Sequence, residues 1–260
     1  MKERIIKNIK ESKKYDSICE DTINRICDEE IKKYKKEKDI IHSIKNKLHQ
    51  ITGSFLISDI FRKFNQFKKN GETIDFNHLL SLHSSTKERL SFYTELFDDI
   101  YNCVGKINSI LDLACGLNPI LFAQYLSLNN LSIEQYYAED INSDLLKIID
   151  FYAEYSKLFI ETKHSDLLCE VPKYNVDVVF LFKIIPLLEQ QKKNYFVDLI
   201  NSLNAKYIVV SFPTKTLSGK NVGMLDNYKK IFDQFLEQNR VNKIFEKRYF
   251  NELIYIIMKD

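Results

Sequence analysis

From Lys106 onward, short apolar runs alternate with longer stretches of helical periodicity. The runs fall at 107–113, 133–138, 158–162, 176–182, 206–212, 242–249 and 252–258, and the helical stretches near 119–128, 142–156, 187–203 and 224–239. Alternation of this kind predicts a mostly parallel α/β sheet that takes ligands beyond the carboxyl ends of its strands. Only Phe250 and Asn251 separate the last two runs, too few residues for a crossover helix, so these two should pair antiparallel. The expected fold class is α/β, a Rossmann-like, mostly parallel seven-stranded sheet with an antiparallel terminal hairpin.

The first hundred residues follow a different pattern. Ile5, Ile6 and Ile9 begin an apolar stripe, and Ile18, Ile23, Ile26, Ile31 and Tyr34 continue one at roughly helical spacing. Asp16 or Ser17 can cap the second helix. Gly53 separates the Leu48 region from a further helical pattern between Phe55 and Phe67, and Asn70-Gly71 reads as a turn. Asp75 begins a short helix, and Ser84-Ser85-Thr86 precedes another with Glu88 near its start. The chain therefore divides into an all-helical N-terminal domain, 1–104, and an α/β domain, 105–260, with no internal repeat or low-complexity linker between them.

Charge follows the same division. Residues 1–104 carry 20 Lys and Arg against 17 Asp and Glu, and residues 105–260 carry 18 against 19. The mild positive excess of the helical part would suit a polyanionic partner. No run approaches the roughly 18 apolar residues of a membrane span. The charged, periodic start has no signal-peptide core either, so a cytoplasmic protein is expected. The five cysteines are scattered without Cys-x-x-Cys spacing, which predicts neither a metal site nor a disulfide framework.

The chemistry concentrates where strands end. In 109–120 an apolar strand of Ile110, Leu111 and Leu113 carries Asp112 and runs through Ala114 and Cys115 into a tight turn at Gly116, and Asn118-Pro119 opens a helix. Such a turn brings backbone close to a ligand and aims helix N–H groups at it. It lacks the Gly-x-Gly-x-x-Gly of a dinucleotide turn and suits a ligand without phosphates, such as S-adenosylmethionine. An ordinary strand–turn–helix corner would read the same way, with Cys115 as a small buried residue. The second strand ends in Glu139-Asp140, where an acidic side chain can accept both hydroxyls of a ribose or cap the next helix. Asp140 is favoured because Ile141-Asn142 leads directly into that helix.

Asp166 follows the third strand, and Leu167 beside it offers an apolar surface for a base, although a loop aspartate would look alike. Lys183 ends the fourth strand among apolar residues; lysine is rarely buried unpaired, so it should face the cleft and meet phosphate or the substrate base. After the fifth strand, 211–220 combines Phe212, Lys215, Ser218 and Lys220, a mixture suited to phosphate contact and base stacking, or to a plain surface loop. Parallel strands closed by a terminal hairpin are the layout of a class I methyltransferase.

Several motifs agree with one family. Lys47-Leu48-His49-Gln50 with Gly53-Ser54, and His83-Ser84-Ser85-Thr86-Lys87-Glu88-Arg89, lie in the helical part. Leu111-Asp112 through Pro119, Phe180-Leu181-Phe182-Lys183 with Pro186 and Glu189-Gln190-Gln191, and Ser211-Phe212-Pro213 with Leu217-Ser218-Gly219-Lys220 follow in order. On these motifs the chain resembles the Arm/Rmt aminoglycoside-resistance methyltransferases, which methylate guanine N7 in the decoding site of 16S ribosomal RNA. The resemblance implies S-adenosylmethionine as cofactor. His83, Ser84, Ser85 and Arg89 would approach its methionine end, Gly116 would lie beneath it, and Asp140 would take the ribose. Asp166 and Leu167 would take the adenine, Leu181 and Gln190 would complete the pocket, and Asp112 and Ala114 belong to the same turn. Ala114 stands where the family usually has glycine; its methyl group would crowd the cofactor without disturbing the fold.

Guanine N7 has an in-plane lone pair and no proton, so in-line transfer needs no general base and would rest on alignment of the reactants. That agrees with a sequence without an evident catalytic dyad, in which Lys183 and Arg89 remain candidates for positioning substrate or cofactor. N7 faces a groove of A-form RNA that side chains cannot enter, so the base must be unstacked. Lys32, Lys33, Lys35, Lys36, Arg62, Lys63, Lys68 and Lys69 would dock the helical domain on 16S RNA within the 30S subunit, though each alone reads equally as a solvated helix face. A monomer without metal or membrane contact is expected. The competing readings are a nucleotide-dependent oxidoreductase, whose glycine-rich turn is missing, a methyltransferase acting on another RNA base or a small molecule, and a non-catalytic RNA-binding protein.

Overall fold

The structure, a computed structural model, describes residues 1–53, 60–70, 74–214, 224–239 and 241–259. Three helices come first, α1 (Lys2–Lys10), α2 (Glu20–Lys33) and α3 (Glu37–Leu48), followed by a π-helical turn, His49–Gly53. Their isoleucines sit at helical spacing, so Ile5, Ile9, Ile23, Ile26, Ile40 and Ile44 close one apolar cluster with Leu48. Glu30 of α2 is buried against α3, where Lys47 at 2.9 Å and the Ser43 hydroxyl hold it. Burial alone would raise its pKa, but these partners and Lys33 bring it down to about 2. The segment before α2 runs beside the sheet: the Cys19 N–H donates to Ile141 O at 2.8 Å, and the Ser143 N–H donates to Ser17 O at 2.8 Å. Cys19, rather than Asp16 or Ser17, thus stands at the N-cap of α2, because this segment is already committed to pairing with the β2–α9 connection at Ile141–Ser143.

Four more helices follow, α4 (Ile60–Asn70), α5 (Phe76–Ser81), α6 (Ser84–Arg89) and α7 (Tyr93–Val104). The Asp75 carboxylate caps α5 by accepting the His78 N–H at 3.0 Å. Ser84, Ser85 and Thr86 lie inside α6, whose N-cap is His83, instead of preceding the helix. The expected helix from Phe55 begins at Ile60 among the described residues; 54–59 and the glycine of the Asn70-Gly71 turn lie outside them.

The remaining chain alternates as its pattern predicts. The strands are β1 (Ser109–Leu113), β2 (Gln135–Asp140), β3 (Ile160–His164), β4 (Asn175–Phe182), β5 (Asn204–Pro213), β6 (Asn242–Tyr249) and β7 (Glu252–Met258). Between them run α8 (Asn118–Leu128), α9 (Ser143–Ser156), α10 (Ile185–Gln191), α11 (Tyr195–Ser202) and α12 (Met224–Asn239). The strand order is β3-β2-β1-β4-β5-β7-β6. The first five strands are parallel, and β7 is antiparallel to both β5 and β6. The order reverses between β1 and β4, which opens a crevice at their carboxyl ends.

The stretch 187–203 does not form one helix. Asn194 adopts φ 62° and breaks it, and the Glu189 carboxylate accepts the N–H groups of Asn194 at 2.7 Å and Phe196 at 3.0 Å at the start of α11. Asparagine tolerates that backbone, and the acceptor satisfies donors that a helix start leaves unpaired. Apolar packing does not break at residue 104, because Phe64, Leu79, Phe97 and Ile100 share one core with Ile110, Phe122 and Phe180 of the α/β part. Among the described residues no helix is long and apolar enough to cross a membrane.

Candidate active site

The crevice above β1 and β4 is a cavity enclosing about 1050 Å³ of empty space, its open mouth included. The floor is the turn after β1. Ala114 and Gly116 both adopt left-handed backbone, φ 52° and 55°. Glycine takes this conformation freely, whereas a side chain there costs about 1–2 kcal/mol. Ala114 is therefore a strained substitute at a position whose backbone favours glycine. Gly116 has a second constraint: a Cβ built there would lie 2.5 Å from His83 Cε1. The imidazole is buried over the turn, with Nδ1 hydrogen-bonded to Thr86 Oγ1 at 2.7 Å. Burial, reinforced by Arg89 and Lys183, lowers the His83 pKa to about 3, so the ring is neutral.

Asp140 ends β2 beside this turn. Its Oδ2 accepts the Gly116 N–H and its Oδ1 the Asn142 N–H, both at 2.9 Å. The helix cap of α9 is the Asn142 side chain, which accepts the Asp144 N–H at 3.0 Å. Asp140 thus braces the turn and faces the cavity, and burial raises its pKa.

Asp166, only 5% exposed, follows β3. One of its oxygens accepts the Leu168 N–H at 2.9 Å, and the other accepts Arg25 Nε at 3.1 Å and a terminal Arg25 nitrogen at 2.9 Å. Arg25 comes from α2 and also donates to Gln191 Oε1 at 2.9 Å. It was missed in the sequence, as was Gln191. Arg25 is one of six arginines in a chain whose cations are mostly lysine, and a planar fork suits a buried carboxylate better than an ammonium. Gln191 could have been chosen over Gln190 by periodicity, since it shares a helix face with Leu187 and Leu188.

The far wall is a buried charge cluster. Arg89, 1% exposed, donates to Glu252 Oε1 at 2.7 Å and Asn118 Oδ1 at 3.1 Å, with its guanidinium 4.2 Å from the Phe182 ring centre. Burial opposes ionisation of Glu252, but Arg89 and Lys183 more than offset this and hold its pKa below the usual carboxylate value. Lys183 stands at φ 58°, with its N–H donating to Ser211 Oγ at 3.0 Å. Its ammonium lies 2.5 Å from Glu88 Oε2 and 3.4 Å from Glu252 Oε2.

Of the residues expected at the cofactor, His83, Ser85, Arg89, Ala114, Gly116, Asp140, Asp166 and Leu167 line the cavity, as do Lys183 and Cys115. Ser84, Asp112, Leu181 and Gln190 do not. Asp112 is buried under the turn, where it accepts hydrogen bonds from Asn118 Nδ2 and the Tyr136 hydroxyl, each at 2.7 Å. Leu181 points to the opposite face of β4 from Phe182 and packs with Leu113 and Val210, as strand alternation requires. Gln190 is exposed on the outer face of α10.

Phe212, expected to stack on RNA, is 2% exposed and packs against Phe232 and Tyr255, because β5 pairs with β7 through that position. Lys215, Ser218 and Lys220 lie outside the described residues. Lys32, Lys33, Lys35 and Lys36 are exposed around the end of α2, with Lys33 paired to Glu30. Arg62 is exposed on α4, Lys63 and Lys69 border a shallow notch with Phe67 and His78, and Lys68 lies over the Phe151 ring.

A profile of the family described as ribosomal RNA methyltransferase (FmrO) matches residues 11–256. The chain is 34% identical over 250 residues to a Serratia marcescens protein named 16S rRNA (guanine(1405)-N(7))-methyltransferase, covering 96% of this chain and 95% of the relative. A Micromonospora echinospora protein of the same name is 31% identical over 264 residues, covering 96% and 94%. Among solved structures, the 16S rRNA methyltransferase RmtF in complex with S-adenosyl-L-homocysteine has a TM-score of 0.88 at 30% identity, covering 100% of this chain and 98% of that one. The 16S rRNA methylase RmtB has a TM-score of 0.84 at 30% identity, covering 100% and 99%. With this extent of similarity behind the crevice and its turn, the chain belongs to the FmrO family of ribosomal RNA methyltransferases.

Proposed function

We propose that this chain transfers a methyl group from S-adenosylmethionine to N7 of a guanine of the 1405 type in the decoding-site helix of 16S rRNA, and so confers aminoglycoside resistance. It acts as a cytoplasmic monomer on the assembled 30S subunit, without a metal. The observation that carries this reading is the cavity at the β1–β4 crossover, where the left-handed turn, Asp140 and Asp166 meet.

The residues present fit the cofactor. Arg89 Nε is buried in the cavity wall without a hydrogen-bond partner, so a carboxylate entering beside it satisfies a donor that the fold leaves open. Each Asp140 oxygen spends one acceptor site on a backbone N–H and keeps another for a ribose hydroxyl. Asp166 and Leu167 offer an acceptor and an apolar surface to the adenine. When bound, S-adenosylmethionine supplies the electrophilic carbon: the N7 lone pair forms the new C–N bond, sulfur keeps the pair of the broken C–S bond, and the base becomes cationic. Neutral His83 places no positive charge against a sulfonium, and the chain needs only to align the base and exclude water.

Lys32, Lys33, Lys35 and Lys36 stand near the end of α2, about 12 Å along its axis from Arg25, and support docking of RNA beside the cleft. The test is methylation of purified 30S subunits with tritiated cofactor, followed by borohydride–aniline cleavage and primer extension. A single stop at one decoding-site guanine is expected, and Asp140→Ala should weaken cofactor binding. Label that enters free metabolites, or RNA label without a cleavable site, would refute the assignment.

A further inference from the structure

The cavity wall holds a lysine that no cofactor contact uses, and just outside the lining a glutamate pairs with it. Lys183 lines the cavity and is 8% exposed, and its backbone is held in the left-handed region by hydrogen bonds from its N–H to Ser211. Such strain persists only where surrounding structure imposes it, and it aims this ammonium off the end of β4 toward α6. Glu88 on α6 receives it at 2.5 Å with Oε2, while its side chain stays 36% exposed. Behind the pair lies Glu252, fully buried and bonded to Arg89 and Ser211. The two groups therefore differ in setting. Glu252 neutralises charge inside the wall, whereas Glu88 and Lys183 set one acceptor and one donor side by side at the open end.

We infer that the Lys183–Glu88 pair reads the target base as guanine, the lysine donating to O6 and the Glu88 carboxylate accepting from N1–H. The inference rests on the methyl-transfer reading above. O6 and N1 follow N7 around the edge of guanine, so a base whose N7 meets the methyl group presents an acceptor and then a donor to the adjoining wall. Adenine presents the reverse, an amino donor and then the N1 acceptor, so it sets donor against ammonium and lone pair against carboxylate and leaves its own polar edge unpaired in a partly dry site. The carboxylate also acts on the rate. As N7 gains charge, N1–H becomes more acidic, so its bond to Glu88 strengthens between the bound base and the transition state.

The test compares wild type with Glu88→Gln, which keeps the shape and removes the charge. With 30S subunits and saturating cofactor, kcat should fall about 10- to 100-fold. The Kd for S-adenosylhomocysteine, measured by calorimetry, should stay within about twofold, because Glu88 does not line the cavity. Reconstituted subunits carrying inosine at the target keep O6 and N1–H and lack only the 2-amino group, so they should be methylated at nearly the guanine rate. Unchanged kcat in E88Q, an equal loss of homocysteine-analogue affinity, or a loss with inosine as large as that of E88Q overturns the inference. Inactive wild type overturns the function beneath it as well, whereas active wild type beside a fully active E88Q overturns only the base-reading role.

Discussion

Gly116→Ala tests the packing of the turn after β1 most directly. The new Cβ would sit 2.5 Å from His83 Cε1 and 3.0 Å from Nε2. Carbon contacts settle near 3.5–4.0 Å, so the ring must retreat by about 1 Å. It cannot do so freely, being buried and tied to Thr86 at 2.7 Å. Two costs add: about 1–2 kcal/mol for a side chain at φ 55° and about 1–3 kcal/mol for overpacking. The reduced entropy of the unfolded chain returns about 0.4–1 kcal/mol, leaving a loss of about 1–4.6 kcal/mol. The two contributions separate in a double-mutant cycle with His83→Ala. Without the ring, Gly116→Ala keeps only its backbone strain, so the cycle should show a coupling of about 1–3 kcal/mol. Urea unfolding of the four proteins, followed by circular dichroism, measures it. Additivity within about 0.5 kcal/mol would show that the ring does not oppose the new methyl group, and the steric argument would fail.

Two further expectations concern buried carboxylates. Arg25→Ala leaves Asp166 with only the Leu168 N–H, which should destabilise the protein by about 1–3 kcal/mol and weaken S-adenosylhomocysteine binding in calorimetry. Arg25→Lys should not restore binding, since one ammonium cannot reproduce the fork that reaches both Asp166 and Gln191; wild-type affinity in that variant would refute the clamp. Burial pushes the Asp112 carboxyl up to about 7, although Asn118 and Tyr136 pull the other way. The folded protein then keeps a proton that the unfolded chain releases near pH 4, so the Asp112 contribution to stability falls as pH rises from about 4 to about 7 and is level above. Asp112→Asn should remove that slope, and its urea midpoint should gain on wild type between about pH 5 and about pH 8. An equal difference at both values would contradict the burial argument.

The inner strands were legible because each is a short apolar run in a sheet covered on both faces, a pattern that depends on local residues alone, whereas the edge strands β3 and β6 carry charged residues and are less buried. The runs 242–249 and 252–258 coincide with β6 and β7, and 176–182 falls one residue short of β4. Asp140, Asp166 and Gly116 could be placed in the cavity lining by position, since the crevice opens at the carboxyl ends of the strands. What stayed hidden depends on partners far apart in sequence. Arg25 meets Asp166 across 141 positions and Arg89 meets Glu252 across 163, and no periodicity records either pair. Phe212 misleads for a related reason: an aromatic beside lysines resembles a stacking surface until the register of β5 on β7 turns it into the core.

The same long-range packing decides what the helical part is for. Cutting the chain where the pattern changes, between residues 104 and 105, would remove Thr22, Arg25, Ile51, Thr52, His83, Ser85, Thr86 and Arg89 from the cavity lining. It would also strip Phe97 from Phe122, whose rings meet edge-on at 4.9 Å, and expose a face of the sheet core. A change in sequence pattern marks a change of element type, whereas a unit that folds alone is marked by a closed apolar core. Of the helices before β1, α1 to α3 close such a core among the described residues, and even they hold the Asp166 side of the cavity through Arg25. The Arg25–Asp166 ion pair, 2.9 Å long, therefore ties α2 directly to the cavity wall, so the helical part belongs to the site as well as to the core.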